Sequence, residues 1–321
     1  MAEDGIPEST KLAAAASRLL GRAPAPGLVL GGVVGLQCGA ALSVGLFARV
    51  GPAGVVLLRL ALAALLLGAL WRPRLRLDRR TLVTVLGAGT LLAIHHLSYY
   101  EAVGRIPLGA ATTVEFLGPF VIALAGSRRP VDLLWSLLAA SGVLLLGAGG
   151  TALDPVGLGF AALAAACWGG YILVSARLAR SVPGGGGLAL AVAWGALLSL
   201  PYGLVRAGRE LLDPRVLLLA LAVAVLSSVL PYSFNLEALR RIPPRVFGVL
   251  TSLEPAVGAV VGFLLLGQHL DAWQCAGVAA VALASIGATR RSGEKARSAE
   301  ADSAQADSAK TGSTKADAQK T

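Results

Sequence analysis

The segment EAVGRIPLGAATTVEFLGPFVIALAG, Glu101 to Gly126, bears on the fold in two ways. Its first seven residues, EAVGRIP, return as EALRRIP from Glu237 to Pro243, with five of seven identical at an offset of 136 residues. At the same offset Leu117 matches Leu253 and Pro119 matches Pro255. From Ile106 onward the segment is apolar for about 21 residues, enough to cross ~30 Å of hydrocarbon as a helix. Glu115 nevertheless sits inside it, at a cost on the order of 3 kcal/mol on insertion scales.

The rest of the chain repeats that first impression. Its 321 residues are 55% hydrophobic and 14% charged, well below the roughly one quarter charged of a soluble domain. Mean hydropathy is +0.72. Apolar runs are expected near 27–47, 53–71, 82–100, 107–126, 131–150, 157–176, 187–205, 215–235, 243–266 and 271–289. They are too long, and too little alternating, for barrel strands. The fold class is therefore an all-α polytopic membrane protein of about ten transmembrane helices. Five spans per copy is an odd number, so the two halves insert in opposite senses. Such inverted five-helix repeats are typical of secondary transporters, whose substrate sites lie near mid-membrane between the halves.

The expected organisation is a cytoplasmic N-terminal segment over 1–26, repeats over 27–150 and 157–289, and a disordered cytoplasmic tail over 290–321. The tail is polar and of low complexity, too poor in apolar area to fold. Residues 1–26 show no cleavable signal: AAAA is too short for an apolar core and Arg18 and Arg22 follow it.

The net charge of +10 resides in short connections such as WRPRLRLDRR, Trp71 to Arg80, which is the pattern of a topology signal rather than of nucleic-acid binding. More arginines fall on one set of connections (Arg72 to Arg80, Arg128, Arg129, Arg177, Arg180, Arg240, Arg241, Arg245) than on the other (Arg49, Arg105, Arg206, Arg209, Arg215). Both termini are thus expected in the cytoplasm. Cys38, Cys167 and Cys275 lie in apolar runs without metal-ligand spacing and read as small packing residues. No metal site or cofactor is expected, and nothing in the sequence points to an oligomeric state.

Several polar residues lie at membrane depth. Glu115 is roughly 12 Å along the fourth helix and Arg59 roughly 9 Å along the second, both counted from the outer end, so the two are expected to meet. A buried pair offsets part of each ion's desolvation; the competing reading makes Glu115 a substrate ligand facing an aqueous cavity. Glu254 lies roughly 16 Å into the ninth helix, near the midplane. The repeat places Gly195 opposite Arg59 and offers Glu254 no built-in arginine. Such a carboxyl can hold a proton or a substrate ammonium in turn; the bland alternative is a neutral packing residue. Pro119 and Pro255 remove the hydrogen bonds to the carbonyls of Glu115 and Thr251. Those kinks either line or gate a substrate path or simply bend packed helices.

Ser228, Tyr232 and Asn235 stand at i, i+4, i+7 on the eighth helix, and the repeat mates of the latter two are His96 and Tyr99. A cavity shared between the halves and plain interhelical hydrogen bonding both accommodate them. Adjacent His95 and His96 point about 100° apart on a helix, which disfavours a two-histidine metal site. Trp168 and Tyr171, at i, i+3 in ACWGGYIL, either line the cavity or pack.

The blocks EFLGPFVIALAGSRRPVDLLW, AACWGGYILVSARLA, VLSSVLPYS and RIPPRVFGVLTSLEPAVGAVVGFLLLGQ, in that order, resemble the bacterial threonine/homoserine exporters, in the EamA branch of the drug/metabolite transporter superfamily. The resemblance covers 28–289. It implies export of small amino acids or related amine metabolites across the inner membrane, two five-helix repeats around a central cavity, and coupling to protons by alternating access. Arg59, Glu115, Pro119, Glu254 and Pro255 match the family's motifs. One departure is GQHL, with Gln268 where the family usually carries glutamate. Export of another small metabolite or drug is the alternative. An intramembrane enzyme lacks a nucleophile or acid–base constellation, and a purely structural membrane protein leaves the buried charges unexplained.

Overall fold

A computed structural model describes residues 23–73, 77–124, 130–147, 153–181, 185–239, 241–242 and 244–287. The expected tail from 290 and most of the N-terminal segment lie outside the described residues. Among those described there is no strand. The helices are α1 (Ala25–Trp71), α2 (Arg79–Val103), α3 (Leu108–Glu115), α4 (Leu117–Leu124), α5 (Pro130–Gly147), α6 (Pro155–Ser181) and α7 (Gly186–Ala207). A 3₁₀ turn (Gly208–Leu212) then leads to α8 (Pro214–Ala224), a π turn (Val225–Val229) and α9 (Leu230–Leu239). Last come α10 (Pro244–Thr251), α11 (Glu254–Leu266) and α12 (Ala272–Gly287).

Five of these stretches are long and apolar enough to cross a membrane: Ala25–Trp71, Arg79–Val103, Pro155–Ser175, Gly186–Leu212 and Pro214–Asn235. The others are shorter apolar helices. α1 joins what the sequence presents as two spans. Its 47 residues turn at Gly51, whose φ of +66° suits glycine, and Pro52 follows. Capping aspartates set the starts of later helices: Asp78 accepts from the N–H groups of Arg80 and Thr81, Asp154 from those of Val156 and Gly157, and Asp213 from those of Arg215 and Val216. The Arg215 N–H, and after it the Arg49 guanidinium, hold the Asp213 carboxyl below its usual range.

The two copies of the repeated motif share their local structure. In the first copy the N–H groups of Arg105 and Ile106 both donate to the Ala102 carbonyl, at 2.9 and 2.8 Å. In the second, those of Arg241 and Ile242 both donate to Ala238, at 2.9 Å each. The motif's glutamate and arginine form an i,i+4 ion pair in both, Glu101–Arg105 and Glu237–Arg241. Each copy then runs eight residues of helix, 108–115 and 244–251, and breaks. The breaks fall at Phe116 and at Ser252–Leu253, within four residues before Pro119 and Pro255. A proline ring cannot accommodate the preceding turn's carbonyl, so the helix yields just ahead of it.

Spans of the two copies pack in opposite directions. A Cβ on Gly109 would meet Ala259 at 2.7 Å, while one on Gly258 would meet Thr112 Oγ1 at 3.1 Å, so α3 runs antiparallel to α11. Likewise Gly142 touches the stretch 277–281 and Gly277 touches Leu146, setting α5 antiparallel to α12. Gly54 against Ala207 and Gly203 against Leu57 do the same for the second arm of α1 and α7. Small residues at each crossing let the backbones close in, as membrane helices require when no hydrophobic force separates lipid from protein. Leu144, Val205 and Leu218 are among many large apolar side chains left on the outside, where acyl chains would cover them.

Candidate functional site

Arg59 projects from the second arm of α1 and is 3% exposed. Its Nη1 donates to the Tyr100 hydroxyl at 3.0 Å, its Nη2 to the Ser227 carbonyl at 2.8 Å and its Nε to Ser228 Oγ at 3.3 Å. The guanidinium also lies over the Tyr100 ring, 5.5 Å from its centroid. The Ser43 hydroxyl stands 3.2 Å from that of Tyr100 and donates to the Gly39 carbonyl at 2.7 Å. The cation is thus held by α1, α2 and the π turn, entirely through neutral groups.

The expected Arg59–Glu115 pair does not form. Glu115 takes instead a close hydrogen-bonded contact from His95 Nε2. Its place at the last residue of α3, ahead of the break, turns it toward α2, where His95 is already positioned. The His95 ring stacks on Trp168 of α6 at 5.0 Å, and Trp168 on Tyr171 at 5.5 Å. These aromatic residues of the sixth apolar run therefore back the acid's partner.

Glu254 opens α11 just past the second break, where the helix dipole favours a carboxylate. It lies within electrostatic reach of Glu115, and among the described residues no ion pair involves it. Tyr99 lies within reach of both acids, and its hydroxyl is 2.9 Å from that of Thr112. Thr112 gives its proton to the Leu108 carbonyl at 2.9 Å, so it accepts from Tyr99 and from Gln37 Nε2 at 3.0 Å. Gln37 also reaches the Glu254 carbonyl at 3.4 Å. One hub therefore ties α1, α2, α3 and α11 together beside the two acids.

His96 is buried beside these groups. Its ring lies 4.7 Å from that of His95, Arg59 is within electrostatic reach, and among the described residues its Nδ1 has no hydrogen-bond partner. The structure thus gathers Arg59, His96, Tyr99, Glu115, Trp168, Tyr171 and Glu254 around one polar cluster.

The stripe expected on the eighth helix is not a regular helical face. The π turn Val225–Val229 inserts into it and shifts its register, so Ser228 meets Arg59 while Asn235 lies against Gly32 of α1. The Tyr232 side chain is outside the described residues. Thr251 closes α10, and Pro119 and Pro255 lie in the first turn of the resumed helices. Gln268, the departure noted in the sequence, accepts from the Leu108 N–H at 2.9 Å and so caps the start of α3 from the far end of α11.

Four contributors escaped the sequence reading: Gln37, Tyr100, Thr112 and Ser227. Each is a polar residue within an apolar run, which is itself a signal. None had a repeat mate or charge to single it out. Near the cluster, a recess of about 590 Å³ is lined by Phe47, Arg49, Glu101, Gly104, Arg105 and Arg206 among others. Phe47 also packs on Tyr100, at 6.1 Å between ring centroids.

Residues 155–290 match the EamA-like transporter family. The threonine/homoserine exporter RhtA of Salmonella typhimurium (strain LT2) is 42% identical over 258 residues, 79% of this chain and 87% of that protein. RhtA of Escherichia coli K12 is 40% identical over 266 residues, 82% of this chain and 90% of the relative. The chain belongs to the EamA-like transporter family. A solved structure described only as "Crystal structure of protein" superposes with a TM-score of 0.54 at 20% identity, covering 81% of this chain and 95% of the other, and so shares its fold. This EamA-like chain is a membrane transporter and not an enzyme.

Proposed function

We propose that the protein exports small amino acids of the threonine/homoserine kind across the bacterial inner membrane. The observation that carries the reading is the pairing of opposite charges within one cluster: Arg59, neutralised by no carboxylate among the described residues, and the Glu115 and Glu254 carboxylates. An α-amino acid is a zwitterion whose carboxylate suits a guanidinium fork and whose ammonium suits a carboxylate. The 40–42% identity to threonine/homoserine exporters over most of the chain supports the same substrate class.

Glu254 is the site for the coupling proton. Carrying either that proton or the substrate ammonium, one carboxyl exchanges the two across the membrane in opposite directions. The halves over 27–150 and 157–289 rock about the cluster, and the broken helices ahead of Pro119 and Pro255 supply the give. Both termini face the cytoplasm, as the arginine distribution suggests, which turns the recess at Arg49, Arg105 and Arg206 outward.

Proteoliposomes loaded with labelled threonine or homoserine test this. Efflux is expected to accelerate under an inward proton gradient and to fall at least tenfold in Glu254→Gln. Folded protein that moves neither amino acid would overturn the reading.

A further inference from the structure

We propose that His96 recognises the side-chain hydroxyl of the transported amino acid and so sets the preference for hydroxylated substrates. This rests on the amino-acid exporter reading above and goes one step further. His96 is only 5% exposed, yet among the described residues its Nδ1 has no hydrogen-bond partner. A buried polar atom in that state is costly unless something else completes it. Its position says what that is. Beside it stands His95, its ring 4.7 Å away and its Nε2 engaged by Glu115. Arg59, fixed on Tyr100 one turn further along α2, lies within electrostatic reach of it.

His96 thus neighbours both the partner of Glu115 and the Arg59 cation, beside a substrate that turns its ammonium to the acids and its carboxylate to Arg59. What the substrate presents there is the side chain borne by its α-carbon. A hydroxyl both donates and accepts, so it satisfies Nδ1 whichever ring nitrogen carries the proton. The neighbouring Nδ1 of His95 also lacks a partner, but that ring is fixed between Glu115 and Trp168 and serves the acid. A site built for a hydroxyl discriminates against the analogue lacking it, because its own polar group is then left unpaired.

Threonine and valine are near isosteres that differ in that hydroxyl. In proteoliposomes, the apparent affinities of threonine and of competing valine are to be compared for the wild type, His96→Leu and His96→Asn. His96→Leu is expected to lose roughly three- to tenfold of the threonine-over-valine preference, through threonine's KM, with valine's affinity unmoved. His96→Asn, which keeps hydrogen-bonding capacity, recovers part of it. A wild type that moves threonine, with a threonine/valine ratio unchanged or both affinities lowered equally in His96→Leu, overturns the role of His96 alone. A wild type that binds and moves neither amino acid overturns the exporter reading and this inference with it.

Discussion

At the scale of single residues, the cluster turns on how one buried cation is held. Arg59 spends three donors on a phenol, a serine hydroxyl and a backbone carbonyl. Neutral partners offset part of its desolvation and leave its charge uncancelled, the condition an anion site needs. A lysine keeps the charge as a compact point and cannot hold three acceptors in a planar fork. Arg59→Lys is therefore expected to raise the threonine KM about tenfold or more, through loss of the bidentate geometry, in inside-out vesicles. An unchanged KM would show that Arg59 only braces Tyr100 and the π turn.

At the scale of elements, close packing depends on where a side chain is missing. On α2 a Cβ at Gly89 would stand 2.4 Å from the Ala191 carbonyl oxygen and 2.9 Å from Trp194 Cδ1, whereas one at Gly87 meets nothing within 4 Å. Gly89→Ala is expected to destabilise the protein by about 1–3 kcal/mol, since α7 must shift away. Gly87→Ala is expected to be neutral or to gain up to about 1 kcal/mol from helix propensity. Thermal unfolding in detergent separates the two. Elements were also the most legible part of the sequence. The apolar spans, and the breaks ahead of Pro119 and Pro255, could be read because chain-length hydrophobicity and proline sterics are local properties. The bend at Gly51 and the π turn were not, since each depends on packing with distant segments. The same holds for the site. Glu115, Glu254 and Arg59 stood out as charges in hydrocarbon, but the exchange of Arg59 for His95 as partner to Glu115 depends on how α2 and α3 are rotated, which span lengths do not encode.

At the scale of the whole molecule, the antiparallel packing of α3 with α11, α5 with α12 and α1 with α7 is what two halves inserted in opposite senses would show. With the charge bias, it predicts a side for each connection. In a variant lacking the three native cysteines, single cysteines at Asp154 and Arg209 are expected to react with a membrane-impermeant maleimide added outside intact cells. Ones at Pro73 and Ile242 are expected to react only after the membrane is opened. The reverse pattern would invert the orientation, and all four reacting from one side would dismantle the antiparallel arrangement. The matching eight-residue helices have a further consequence: each copy interrupts its span just ahead of its proline, at Phe116 in one and at Ser252 and Leu253 in the other. Because neither proline has an N–H to donate, each span can flex at that point at less cost than an unbroken helix.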